Sequence, residues 1–176
     1  GFCLVNDPVI AARASQAEGI ASRVWIIDLD VHKGDGTAAL THGDPTIRTL
    51  SIHMARGWPM DRPRTLPDGS LHPSHISSDV DIPVDVNEED AYLPLLADGL
   101  EQLEGFGLPD LAIVLYGADP YERDELPSSG GIRLSLAQMM ERDQLVYNFL
   151  RERRIPRAYL KAGGYGSYAW EPLTQF

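Results

Sequence analysis

Apolar and polar positions divide the chain into short apolar runs and longer amphipathic stretches. The segment SRVWIIDLDVH (22–32) is apolar and rich in branched residues, and IRTLSIH (47–53) repeats that character, so both predict strands. LAIVLYGAD (111–119) is an unbroken apolar strand of the kind covered on both faces, and IPRAYLKAGGYG (155–166) reads as a last strand and its exit. Helices are predicted between them. In NDPVIAARASQAEGIAS (6–22), Asp7 is the expected N-cap, Pro8 the first helical residue and Gly19 the approach to the end. NEEDAYLPLLADGLEQLEGFG (87–107) spaces Tyr92, Leu96, Leu100 and Leu103 as one helical face, while Pro94 predicts a late start or a bend. LSLAQMMERDQLVYNFLRERR (134–154) opens with a Ser135 to Gln138 capping box and carries Leu136, Met139, Met140, Val146, Phe149 and Leu150 as its inner stripe. Between Met54 and Asp79, Pro59, Pro63, Pro67 and Pro73 exclude any long regular element; loops of that length in compact domains are usually functional or mobile. Strands alternating with helices predict an α/β fold, a mostly parallel sheet flanked by helices.

Composition narrows the picture. The 176 residues, 43% of them hydrophobic, suit one globular domain spanning 1–176. A formal charge of -11 opposes binding to a phosphate backbone, so nucleic acid is not an expected partner. Cys3 is the sole cysteine, which excludes a disulfide within the chain and favours a reducing compartment. No apolar run nears the roughly 20 residues of a membrane span, and no secretion signal opens the chain, so a cytoplasmic protein without a membrane partner is expected. The chain begins at Gly1 rather than methionine, as a segment of a longer protein would.

The chemistry gathers where strands end, in DLDVHKGDG (28–36), YGADPYERD (116–124) and KAGGYG (161–166). A strand repeats every two residues, so Asp28, Asp30 and His32 are expected on one face. Burying them unpaired would cost several kcal/mol each, and a cation is the natural partner. In open parallel sheets ligands bind outside the carboxyl ends of the strands, so these endings should meet in one cleft. Asp30, His32 and Asp119 then form an oxygen, nitrogen and oxygen set suited to a divalent metal with a position left for water or substrate. Asp28 would stand one step behind, bonding a ligand or the backbone. Blander readings accompany each residue. A lone aspartate at a strand end is usually a turn or cap residue, and Asp119 alone reads equally well that way. Gly163 and Gly164 suit a tight turn and Tyr165 a rim aromatic. His42, His53, His72 and His75 show no ligand spacing and read as surface or packing residues. Arg151, Arg153 and Arg154 suit a solvated helix end, where the dipole favours cations.

With GFCLVND, IIDLDVHKGDG, SIH, GAD followed by RDELP, and GGYG in that order, the chain resembles the zinc-dependent histone deacetylase family. The bacterial members of that family include acetylpolyamine and acetoin-utilisation-type amidohydrolases. The resemblance implies an arginase/deacetylase-like sheet, incomplete at its N-terminal end. It implies metal ligands at Asp30, His32 and Asp119, holding Zn2+ with Fe2+ as the alternative. It places a transition-state tyrosine at Tyr165, and at Asp28 and Asp35 the carboxylates that support a pair of histidines. Phe2 and Trp58, with Gly1, Gly163 and Gly164, fall on the walls of a tunnel for an acetylated lysine or acetylpolyamine substrate. A monovalent cation, K+, is implied around Asp28, Asp30, His32 and Ser51. The implied reaction is amide hydrolysis by metal-activated water, with Tyr165 bonding the developing oxyanion. The family's histidine pair falls upstream of GFC, and residues 1–176 contain no His-His dipeptide. A positioned general base is worth about 10² to 10⁴ in rate, so this segment alone is expected to be weakly active. Lys33 stands where many relatives carry His or Gln.

Two other readings remain. DLD after an apolar strand also resembles the nucleophile motif of haloacid-dehalogenase-like phosphatases, with Asp28 attacking phosphate, Asp30 as acid/base, Lys161 neutralising charge and magnesium near Asp119. A non-enzymatic remnant that binds metal without turnover is the other.

Overall fold

In the computed structural model, which describes residues 4–175, five strands form a single all-parallel sheet. They are β1 (Val24–Asp28), β2 (Ile47–Met54), β3 (Val80–Val84), β4 (Leu111–Tyr116) and β5 (Arg157–Lys161), in the order β3-β2-β1-β4-β5. The helices are α1 (Asp7–Ala17), α2 (Asp35–Thr41), α3 (Glu89–Glu104), α4 (Leu136–Glu152) and the short α5 (Trp170–Leu173). This is the expected α/β architecture.

Alternation along β1 sorts the core onto two faces. Trp25, Ile27 and Leu29 pack with Tyr92, Leu96, Leu100 and Leu103 of α3 and with Met139, Val146, Phe149 and Leu150 of α4. Val24 and Ile26 point the other way, onto Val9 and Ala12 of α1. Each fully buried aliphatic or aromatic side chain contributes about 1.5–3 kcal/mol relative to exposure. In register, Asp28 stands beside Ser51 on β2 and Leu115 on β4, and Leu115 beside Leu160 on β5.

Several local expectations change. The N-cap of α1 is Asn6, whose Oδ1 accepts the Val9 N–H at 3.0 Å; Asp7 is already helical. α3 starts at Glu89, ahead of Pro94, so the late start does not occur. Pro94 sits close to the helix start, where its missing N–H removes only the bond to the Asp90 carbonyl. The Ser135–Gln138 capping box is present. Met140 is only half-buried, because Arg142 and Asp143 occupy the inner face of α4. β3 and α2 are additions. β3 is an edge strand, where Pro83 is tolerated, and α2 is too short to carry an apolar stripe. Among the described residues no helix is long and apolar enough to cross a membrane.

Candidate metal centre

The chain runs outward from β1 through β2 to β3, then returns to the other side of β1 for β4 and β5. The strand order therefore turns between β1 and β4, the place where parallel sheets open a crevice at their carboxyl ends. A cavity of about 770 Å³ lies there, lined by Asp28, Asp30, His32, Trp58, Gly163 and Tyr165 among others.

β1 stops at Asp28, so Asp30 and His32 lie on the loop beyond it, and strand alternation does not orient them. Successive aspartate turns do. Asp28 Oδ1 accepts the Asp30 N–H at 3.1 Å, and Asp30 Oδ1 accepts the His32 N–H at 2.9 Å. The second turn also brings His32 Nδ1 to 3.1 Å from Asp30 Oδ1.

Asp119 arrives from the loop after β4 and is fully buried. Its Oδ1 accepts the Val31 N–H at 3.0 Å, which ties the two loops together, while Oδ2 lies 3.4 Å from His32 Nδ1 without a hydrogen bond. One ligand atom each from Asp30, His32 and Asp119 fits within 4.8 Å of the others. Glycines permit the approach. A Cβ on Gly117 would come 2.6 Å from Asp30 Cα. A Cβ on Gly163 would overlap the Asp119 carboxylate and come 2.6 Å from Asp30 Oδ2. The Gly163 N–H instead donates to that same Asp30 Oδ2 at 3.0 Å.

The charges follow from this crowding. Burial pushes Asp28 well above the usual carboxylate range, and the neighbouring charge of Asp30 adds to it. Burial, with the charge of Asp30 added, also lifts Asp119 to about 6, against the opposing pull of the nearby His32 imidazole. Burial works on Asp30 too, but the His32 and Gly163 donors outweigh it and hold Asp30 below its ordinary value. Burial opposes the imidazolium of His32, yet the facing carboxylates of Asp119 and Asp30 raise it to about 9. The cluster attracts positive charge strongly enough to keep a proton on a buried imidazole.

The other predicted residues are distributed around this centre. Trp58 packs edge-on against His32, with centroids 5.4 Å apart. Tyr165 lines the cavity half-buried, its N–H donating to Asp124 Oδ2 at 2.7 Å. Gly164 lines it as well. Asp35 lines the cavity from the start of α2 and accepts the Ser74 hydroxyl at 3.1 Å, fixing the proline-rich loop. Ser51 is buried, and its Oγ accepts the Gly34 N–H at 3.2 Å. Gly1 and Phe2 lie outside the described residues. Lys33 is buried with Nζ 3.2 Å from Asp81 Oδ2, and His53, buried in the same pairing, has Nε2 at 3.5 Å. Asp81 and Arg142 are participants that sequence reasoning missed. The charged pair RD inside an apolar helical stripe was the available signal for Arg142.

Comparison with known proteins agrees with this fold. The family model of the histone deacetylase domain matches residues 1–175. An uncharacterised protein of Picosynechococcus sp. is 35% identical over 166 residues, which is 94% of this chain and 50% of that protein. Histone deacetylase 2 of Arabidopsis thaliana is 30% identical over 166 residues, 94% of this chain and 40% of that one. The crystal structure of acetylpolyamine aminohydrolase from Burkholderia pseudomallei superimposes with a TM-score of 0.76 at 24% identity, covering 99% of this chain and 48% of that one; this likeness concerns the fold. The chain thus spans about half the length of the proteins it matches, or somewhat less.

Proposed function

Because the chain belongs to the histone deacetylase domain family, we propose that it carries the metal-holding part of an amidohydrolase that removes acetyl groups from lysine side chains or polyamines. The observation that carries this reading is the cluster of Asp30, His32 and Asp119, three donor groups within 4.8 Å at a strand-order turn. The residues fit a divalent metal. Asp119 Oδ2 is buried without a hydrogen bond, and His32 Nδ1 faces both carboxylates. The oxygen, nitrogen, oxygen set suits Zn2+, and Fe2+ fits it as well. When bound, such an ion polarises an amide carbonyl and lowers the pKa of water beside it.

The remaining work falls to residues of the chain. Tyr165 lines the cavity beside Gly163 and Gly164, where its hydroxyl would donate to the carbonyl oxygen as that atom gains charge. Trp58 supplies an apolar wall against which a lysine or polyamine methylene chain can lie. Asp28 supports the ligand loop through the Asp30 N–H. We assign Asp35 to the support of a general base, and the surroundings of Asp28, Asp30, His32 and Ser51 to a monovalent cation such as K+. Among the described residues His32 is the one histidine lining the cavity. Metal binding by this chain is therefore expected to exceed its turnover, since a positioned base is worth about 10² to 10⁴ in rate.

The phosphatase alternative requires Asp28 to meet a phosphate as an anion. Instead Asp28 is buried, engages the Asp30 N–H and is pushed toward its neutral form. The test is a zinc-loaded assay on an acetyl-lysine peptide, an acetylpolyamine and an aryl phosphate, with Tyr165→Phe beside wild type. Amide cleavage that falls about 10² to 10³ in the variant with zinc content unchanged supports the proposal. Phosphatase activity with magnesium and no amide cleavage would overturn it.

A further inference from the structure

We propose that Arg142, a residue of α4 outside the ligand set, is the positioning residue that sets the spacing of Asp30 and Asp119. The inference rests on the metal centre read above. Arg142 is completely buried, and its Nη1 donates to the Leu29 carbonyl at 3.2 Å and to the Gly117 carbonyl at 2.8 Å. Those carbonyls belong to the residues that immediately follow β1 and β4. The last backbone bond between these two strands there is Leu29 N–H to the Leu115 carbonyl, at 3.1 Å. One guanidinium thus takes over where the ladder stops.

The consequence reaches the ligands through two peptide planes, each held at both ends. In the plane joining Leu29 to Asp30, the carbonyl accepts from Arg142 and the N–H donates to Asp28 Oδ1. In the plane joining Gly117 to Ala118, the carbonyl accepts from Arg142 and the Ala118 N–H donates to the Gly163 carbonyl at 2.6 Å. A peptide plane fixed at both ends cannot rotate, so the Cα atoms beyond it keep their direction. Asp30 follows the first plane directly, and Asp119 follows the second after Ala118. The guanidinium is itself oriented by Asp143, whose Oδ1 lies 2.8 Å from Nε and from Nη2.

Stability alone gives little reason for this arrangement. A buried ion pair is often no better than well-packed apolar residues of equal size, so a geometric role is the stronger account of Arg142. Only a planar fork can hold its anchor on one edge and two carbonyls on another; an ammonium lacks that fixed geometry. Residues that orient metal ligands from behind typically contribute 10- to 100-fold in affinity.

The test uses cobalt(II) as probe, reading affinity by chelator competition and ligand geometry from the visible d–d absorption. Arg142→Lys is compared with wild type and with Leu103→Ala, a buried α3 change remote from the loops. We expect Arg142→Lys to bind cobalt at least 10-fold more weakly with an altered d–d spectrum. Leu103→Ala should melt lower yet keep wild-type affinity and spectrum. If Arg142→Lys is insoluble, Asp143→Asn decides on the same readouts, with affinity loss and a changed spectrum expected. Wild-type affinity and spectrum in the soluble arginine or aspartate variant overturns the inference alone. A wild type that takes up no cobalt overturns the functional reading, and the inference with it.

Discussion

The two faces of the sheet are built on opposite terms. Toward α3 and α4, β1 presents Trp25, Ile27 and then Leu29, all apolar and all buried. Toward α1 it presents Val24 and Ile26, then Asp28, and the loop beyond adds Asp30 and His32. The first face buries apolar side chains whose removal leaves cavities. The second brings acidic groups so close that burial and mutual repulsion raise two of them, Asp28 and Asp119, above their ordinary range. Apolar packing stabilises both faces, and only the carboxyl end of the α1 face carries the crowded acidic groups that a cation would relieve.

Changes that touch the acidic face should be seen mainly in metal affinity. The largest loss is expected from Asp119→Asn, which keeps an oxygen for the Val31 N–H but removes the ligand charge. Its zinc affinity should fall by more than about 100-fold, the upper end of what losing a supporting residue costs. The metal-free variant should melt no lower than wild type, because the lost carboxylate was disfavoured by burial. Titration against a chelator and thermal melts of the metal-free chains check both parts.

Acidity should act nearly as strongly. Without metal His32 keeps its proton up to about pH 9, and an incoming ion must displace it. Apparent affinity should therefore rise about tenfold per pH unit from 7 toward 9 and level off above. Below about pH 6 Asp119 takes up a second proton, and the dependence should steepen. The metal-free chain should follow the opposite trend. The contribution of protonated His32 is complete below its ordinary value of 6.5 and is lost as pH rises through about 9.

Gly163→Ala places a methyl group against both carboxylates. A loss of about 10- to 100-fold in zinc affinity is expected, the scale of a displaced ligand shell. Leu100→Ala, on the apolar face, should have the smallest effect on metal. It should cost about 2–5 kcal/mol in denaturant unfolding while changing zinc affinity less than about twofold. An affinity loss in Leu100→Ala matching that of Gly163→Ala would erase the distinction between the faces.

Much of this organisation is legible in the residues alone. Branched apolar runs mark β1, β2 and β4 because strands buried on both faces need no polar alternation, whereas β5 lies at the sheet edge and is only partly buried. Ser135 and Gln138 announce α4 because a capping box is a local device. β3 escapes because Pro83 argues against a strand until the strand is known to be an edge, a fact fixed by tertiary order. Period-two alternation points to Asp30 and His32, but the chain leaves the strand at Asp28 and aspartate turns orient them instead. Arg142 was invisible for a different reason. Its partners are carbonyls at residues 29 and 117, and every residue has a carbonyl.

We propose that Asp30, His32 and Asp119 close around a single divalent ion. Anomalous diffraction at the zinc edge, from a crystal of the chain grown with zinc, tests it most directly. One strong peak is expected within bonding distance of His32 Nδ1 and of a carboxylate oxygen from each aspartate. A zinc peak elsewhere on the chain, with none between these three side chains, would contradict it.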